Sequence, residues 1–107
     1  MDEPRYVPFG ELEWTDDAPG IRAGEAEGGG KRWATVEYGE GVLREDWCEE
    51  GHRGYVVSGE YELDDGREPL RASQGEAFLL PPAVQGSGAH RGRNTAQTST
   101  RLFLIDD

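Results

Sequence analysis

Apolar residues in this chain recur at every second position in short runs, the spacing of half-buried strands. Lys31 to Tyr38 places Ala34, Val36 and Tyr38 on one face and Trp33, Thr35 and Glu37 on the other. Gly54 to Ser58, with Tyr55, Val56 and Val57, is the most β-like stretch, and Glu60 to Leu63 follows with Tyr61 and Leu63 on one face. Asp64-Asp65-Gly66 turns the chain as a hairpin connection. Arg67 to Arg71 returns, held to an edge or interrupted strand by Pro69. Ala77 to Leu80 is a short apolar strand stopped by Pro81-Pro82, and Thr98 to Ile105 is a last strand with Leu102 and Leu104 opposed to Phe103 and Ile105. Earlier, Ile21 to Glu27 alternates weakly after the Pro19-Gly20 turn, and Val42-Leu43 opens a short strand after the turn at Gly39 to Gly41. Residues 83–97, polar and glycine-containing, read as mostly loop. Residues 1–19 read as a mostly irregular arm that lays Tyr6, Phe9 and Trp14 on the body, with one short strand around Leu12 to Trp14. The sum is about eight short strands and no helix, an all-β sandwich or barrel.

Composition sharpens this picture. At 107 residues the chain suits one domain with a modest core. Sixteen glycines and six prolines cut it into short segments. With 22 acidic against 11 basic residues the formal charge is −11, which repels phosphate backbones and anionic membrane surfaces, so neither nucleic acid nor membrane is the expected partner. The imbalance is local: no carboxylate side chain lies between Glu76 and Asp106, where Arg91, Arg93 and Arg101 fall. One cysteine, the lack of a signal-type leader and the lack of a spanning apolar run give a cytoplasmic expectation.

The chemistry concentrates between Asp46 and Gly59. Asp46, Cys48 and His52 put carboxylate, thiol and imidazole within seven residues, directly before the most β-like run. Alternation lets Asp46 and Cys48 point the same way, and a short turn brings His52 beside them. All three are competent ligands for a borderline divalent metal such as zinc or iron. The other histidine, His90, is the natural further donor. Taken singly, each has a plainer role: His52 a hydrogen-bonded imidazole, Cys48 a small buried apolar group, Asp46 a turn residue. Trp33 and Tyr55 are each either core or pocket wall, and Arg91 and Arg93 are surface cations or guides for an anionic ligand.

The spacing Asp46-x-Cys48-x3-His52-x6-Gly59 resembles the first motif of the cupins, His-x-His-x3-Glu-x6-Gly, with each metal-binding type exchanged for another. Gly75-x5-Pro81 and His90-x3-Asn94 resemble the two halves of the second motif, with about four extra residues between them. The segment from Trp47 to Glu60 looks like small single-domain cupins with Gly-His-x-Gly-Tyr-Val. The resemblance implies a jelly-roll β-barrel (double-stranded β-helix) of two antiparallel sheets. It also implies a metal position inside, formed here by Asp46, Cys48, His52 and His90, for zinc, iron, manganese or nickel. Three functional readings follow: a metal-dependent enzyme on a small molecule, a non-catalytic binder of a small metabolite, and a scaffold that pairs as a homodimer through one sheet.

Overall fold

The computed structural model describes residues 6–45, 52–64, 69–80 and 90–106. These residues form a 3-10 turn at Phe9–Glu11 followed by strands β1 (Thr15–Ala18), β2 (Ile21–Gly28), β3 (Lys31–Tyr38), β4 (His52–Ser58), β5 (Glu60–Asp64), β6 (Leu70–Ser73), β7 (Ala77–Leu80), β8 (Arg91–Asn94) and β9 (Thr100–Asp106). Every pairing between them is antiparallel. One sheet has the order β1-β2-β3-β9-β4-β7 and the other β6-β5-β8, which is the expected all-β jelly roll of two sheets. No helix among the described residues is long and apolar enough to cross a membrane.

Period-two patterning sets what lies between the sheets. Ile21 and Ala23 of β2, Ala34, Val36 and Tyr38 of β3, Val56 of β4, Phe78 of β7 and Leu102 of β9 turn inward from the large sheet. Tyr61, Leu63 and Ala72 meet them from the small one. The most enclosed, Val56, Ile21 and Leu102, each contribute roughly 1.5–3 kcal/mol by burial. On the outer face Phe9 of the arm packs edge-on against Phe103 with ring centroids 5.7 Å apart. Trp14 lies between the guanidinium groups of Arg22 and Arg101, each 5.4 Å from its ring centroid. The arm does lay its aromatics on the body, but its strand comes later than Leu12 to Trp14, at Thr15–Ala18.

Two motif glycines have local physical causes. Gly59 joins β4 to β5 at φ 89°, and a Cβ there would lie 2.2 Å from Thr100 Oγ1. Gly75, also at φ 89°, turns the chain between β6 and β7. Both positions lie in the left-handed region that glycine enters without steric cost.

Asn94, the last residue of the second motif, is a structural knot. Its side chain is fully enclosed, and Nδ2 faces three carbonyl oxygens: Tyr38 at 3.2 Å, Gly39 at 2.8 Å and Thr98 at 2.8 Å. Its Oδ1 accepts from the Ala96 N–H at 2.8 Å and lies 2.8 Å from the Thr100 hydroxyl. That hydroxyl in turn accepts from the Glu60 N–H at 3.0 Å. Loops from three parts of the chain are tied at one amide.

The loop expected over residues 83–97 contains β8, a strand of sequence Arg-Gly-Arg-Asn. It carries no apolar residue, so alternation cannot reveal it; backbone pairing with β5 and with residues 42–44 holds it instead. The strand expected at Val42-Leu43 reduces to a single bridge from Leu43 to Arg93. The locally positive segment is also answered by carboxylates from other strands. Arg91 Nε lies 3.6 Å from Asp64, Arg101 pairs with Glu37 at 3.1 Å, and Arg93 stands across from Glu62 of β5.

Candidate functional site

Between the sheets lies a cavity of about 190 Å³. An engineered apolar cavity of ~150 Å³ holds benzene, so this space suits a molecule only somewhat larger than that ring. Its middle is apolar, formed by Ala23, Ala34, Val36, Phe78, Leu102 and Leu104. Polar groups gather at two places around that middle.

The first is a pair of imidazoles. His52 opens β4 and His90 immediately precedes β8, yet their rings meet edge to face with centroids 5.3 Å apart at 78°. Both face the cavity, and His90 is buried. Behind His52 stands Asp106, the last residue of β9, whose Oδ2 lies 2.9 Å from His52 Nδ1. Arg32 Nη2 donates to the same oxygen at 3.2 Å, and the Arg53 backbone N–H donates to Oδ1 at 3.3 Å. Register explains the meeting, because Arg32 is the direct partner of Asp106 across β3 and β9. Burial by itself raises the Asp106 carboxyl, but the His52 hydrogen bond and charge, then Arg32 and the Arg53 N–H, outweigh it and hold the group below the usual carboxylate value. Asp106 is therefore an ionised acceptor, Nδ1 of His52 carries the proton, and Nε2 is the nitrogen with which that ring can ligate.

The second polar group lies around Tyr38, where β3 pairs with the start of β9. Tyr38 and Tyr61 hydroxyls lie 3.0 Å apart, and Arg44 Nε donates to Tyr38 Oη at 3.3 Å. Arg44 also pairs with Asp17. Gly92 stands opposite Arg44, whose N–H it accepts at 2.9 Å. A Cβ at Gly92 would lie 1.8 Å from Tyr61 Oη, so the bare glycine makes room for that phenol.

Of the sequence candidates, His52, His90 and Arg91 line the cavity. Asp46 and Cys48 lie outside the described residues. Trp33 and Tyr55 are corrected as pocket walls, because alternation turns both to the outer face. Trp33 Nε1 donates to the Gly28 carbonyl at 2.8 Å and its ring packs toward Phe103, while Tyr55 is 43% exposed. Arg93 is likewise on the solvent side and outside the cavity lining. Arg32, Arg44 and Asp106 were missed. Two of them share the parity of core residues already recognised, Arg32 with Ala34 and Val36, Asp106 with Leu102 and Leu104.

No family model and no curated protein matches the chain. Solved structures do. KdgF from Halomonas sp. is 26% identical over 91% of this chain and 87% of that one, with a TM-score of 0.66. An RmlC-like cupin from Shewanella frigidimarina is 20% identical over 99% and 93%, with a TM-score of 0.71. The chain is a small cupin-fold domain. A cupin-2 domain from Rhodospirillum rubrum adds to this at 15% identity, a TM-score of 0.69 and coverage of 97% and 74%. In this cupin-fold domain the first-motif histidine and the second-motif histidine come to one place despite the extra residues between Pro81 and His90.

The described residues contain no group of three or more His, Cys, Asp or Glu that could hold a metal. What they contain is two imidazoles, one of them backed by a carboxylate on its far nitrogen. That backing is the common arrangement behind metal-ligating histidines, so the pair fits two positions of a metal's coordination sphere.

Proposed function

We propose that this cupin binds a small organic ligand inside its barrel, beside a divalent metal held by His52 and His90. The observation that carries the reading is the imidazole pair, 5.3 Å apart at the cavity wall, with Asp106 fixing the tautomer of one ring. A structural pair would serve as well on apolar contact. Here a largely buried, ionised carboxylate braced by a partly exposed guanidinium stands behind His52 instead, an arrangement that orients a nitrogen and costs the carboxylate desolvation. Cys48 and Asp46 are proposed to complete the coordination.

A metal there would supply Lewis-acid polarisation of a ligand oxygen. The chain's own residues do the rest. The apolar middle excludes water from the body of the ligand, Asp106 keeps His52 Nδ1 protonated, and the Tyr38 and Tyr61 hydroxyls offer polar contacts. Self-association is proposed as a homodimer through the outer face of the large sheet, where Tyr55 and Val57 are each 43% exposed and Leu79 is 69% exposed.

Elemental analysis of untagged protein tests the metal. About one divalent ion per chain is expected, with Cys48 shielded from alkylation until a chelator is added. Metal-free protein as isolated, unable to take up zinc, iron, manganese or nickel, would end the reading. Alkylation at equal rates with and without chelator, in protein that contains metal, would remove Cys48 from the shell.

A further inference from the structure

We infer that the ligand is a small monocarboxylic acid whose carboxylate is received by Arg44 beside the Tyr38 and Tyr61 hydroxyls. The inference names the ligand class for the cavity proposed above and rests on that reading. Three of the chain's 11 basic residues, Arg32, Arg44 and Arg91, line this one cavity in a protein with twice as many acids as bases. All three are arginines, whose planar fork matches a carboxylate in a way a lysine ammonium does not.

The three are not equivalent. Arg32 is engaged by Asp106 at 3.2 Å and Glu25 at 3.5 Å, and serves the His52 network. Arg91 lies against Asp64. Arg44 is half-buried, and among the described residues it gives Nε to Tyr38 and one Nη2 hydrogen to Asp17. Those contacts take two of the five N–H groups a guanidinium carries. The same two contacts fix the plane of the fork, so little side-chain freedom remains to be lost on binding. Burial works against its charge, but the hydrogen bonds it donates to Tyr38 and Asp17 hold it above the ordinary arginine value, so it is a cation at every working pH.

The paired phenols stand beside that fork, their hydroxyl oxygens 3.0 Å apart and both residues lining the cavity. The planar fork matches the two oxygens of one carboxylate. A dianionic phosphate is disfavoured, because each guanidinium of the cavity already has a carboxylate near it and the site recognises by direction of donors more than by excess charge. The apolar wall of Ala34, Val36 and Leu102 then takes a short carbon body, which leads toward the imidazoles.

Isothermal titration of untagged full-length protein with lactate, 3-hydroxybutyrate and 4-hydroxybenzoate, each beside its primary amide, tests this. At least one acid is expected to bind about tenfold or more tighter than its amide, the value of one charge-assisted hydrogen-bond set. Arg44→Gln should weaken that acid by about tenfold or more while the zinc content stays as in the parent. Arg44→Lys keeps the charge beside Asp17 and loses the fork, so it should fold where the glutamine variant does not and still lose affinity for the acid. Absence of binding by every acid, or acids and amides bound alike, overturns the inference. Acid affinity unchanged in both Arg44 variants but lost in His52→Ala overturns it too, and leaves the metal reading standing with the carboxylate on the metal. Acid bound through Arg44 in protein that takes up no metal would sink the metal reading alone.

Discussion

Asp106 is the residue on which the His52 end of the cavity turns, since it fixes the tautomer of His52, the plane of Arg32 and the backbone N–H of Arg53. Its carboxyl sits below the ordinary value when folded, so it contributes stability above the unfolded carboxylate pKa of about 3.9 and loses it as pH falls through the folded one. Metal-free Asp106→Asn should be less stable than the parent by about 1.5–3 kcal/mol near neutrality, the range for hydrogen bonds to a charged group. The gap should narrow from about pH 5 downward and close in strong acid. Urea midpoints across that range are the check, and a gap that stays constant with pH would mean Asp106 acts by shape alone. The residue was legible in principle. Leu102 and Leu104 mark the inward face of β9, and one more step of two reaches Asp106; ending the strand at Ile105 on hydrophobicity hid it. Arg44 carried no such signal, because it stands beside a lone bridge outside any regular strand and is placed by Tyr38, six residues away in sequence, and by Asp17.

At the scale of elements, strands with an apolar face were readable and strands without one were not. β3, β5 and β9 announce their inward faces by alternation, whereas β8 is polar throughout and owes its place to β5 and to the backbone of residues 42–44. The motif glycines and Asn94 hold these elements in position for reasons local to them. Gly59→Ala asks for a Cβ 2.2 Å from Thr100 Oγ1 at φ 89°, and Thr100 is the side chain that links Asn94 to Glu60. The substitution should cost about 2–4 kcal/mol, combining left-handed strain with disruption of a buried hydrogen-bond network. Chemical denaturation should show it as a lower midpoint, and a change within 0.5 kcal/mol, the range of a neutral surface substitution, would show that the turn relaxes. Alternation also misled once it was joined to function, since it correctly put Trp33 opposite Ala34, and that side of β3 faces away from the cavity between the sheets.

The whole molecule pairs an acidic exterior with one sheet face that is partly apolar. Tyr55, Val57 and Leu79 lie on β4 and β7 at the end of the six-stranded sheet, where the four-residue strand β7 is the edge strand among the described residues. Sedimentation should give twice the 11.8 kDa of one chain, and Leu79→Glu should give the single chain, because like charges would face each other across a two-fold interface. A parent that sediments as one chain at all concentrations would refute the dimer. The cavity claim stands apart from this and is tested by zinc titration into metal-free untagged protein as parent, His52→Ala, His90→Ala and the double variant. If both imidazoles hold one ion, each single variant should lose affinity by at least about 100-fold, beyond the 10–100-fold typical of losing a residue behind a ligand. The double variant should then fall short of the sum of the two losses, as residues acting on one ion do. Losses that add in full, or a single variant that binds zinc as the parent does, would mean that the rings 5.3 Å apart do not share a metal.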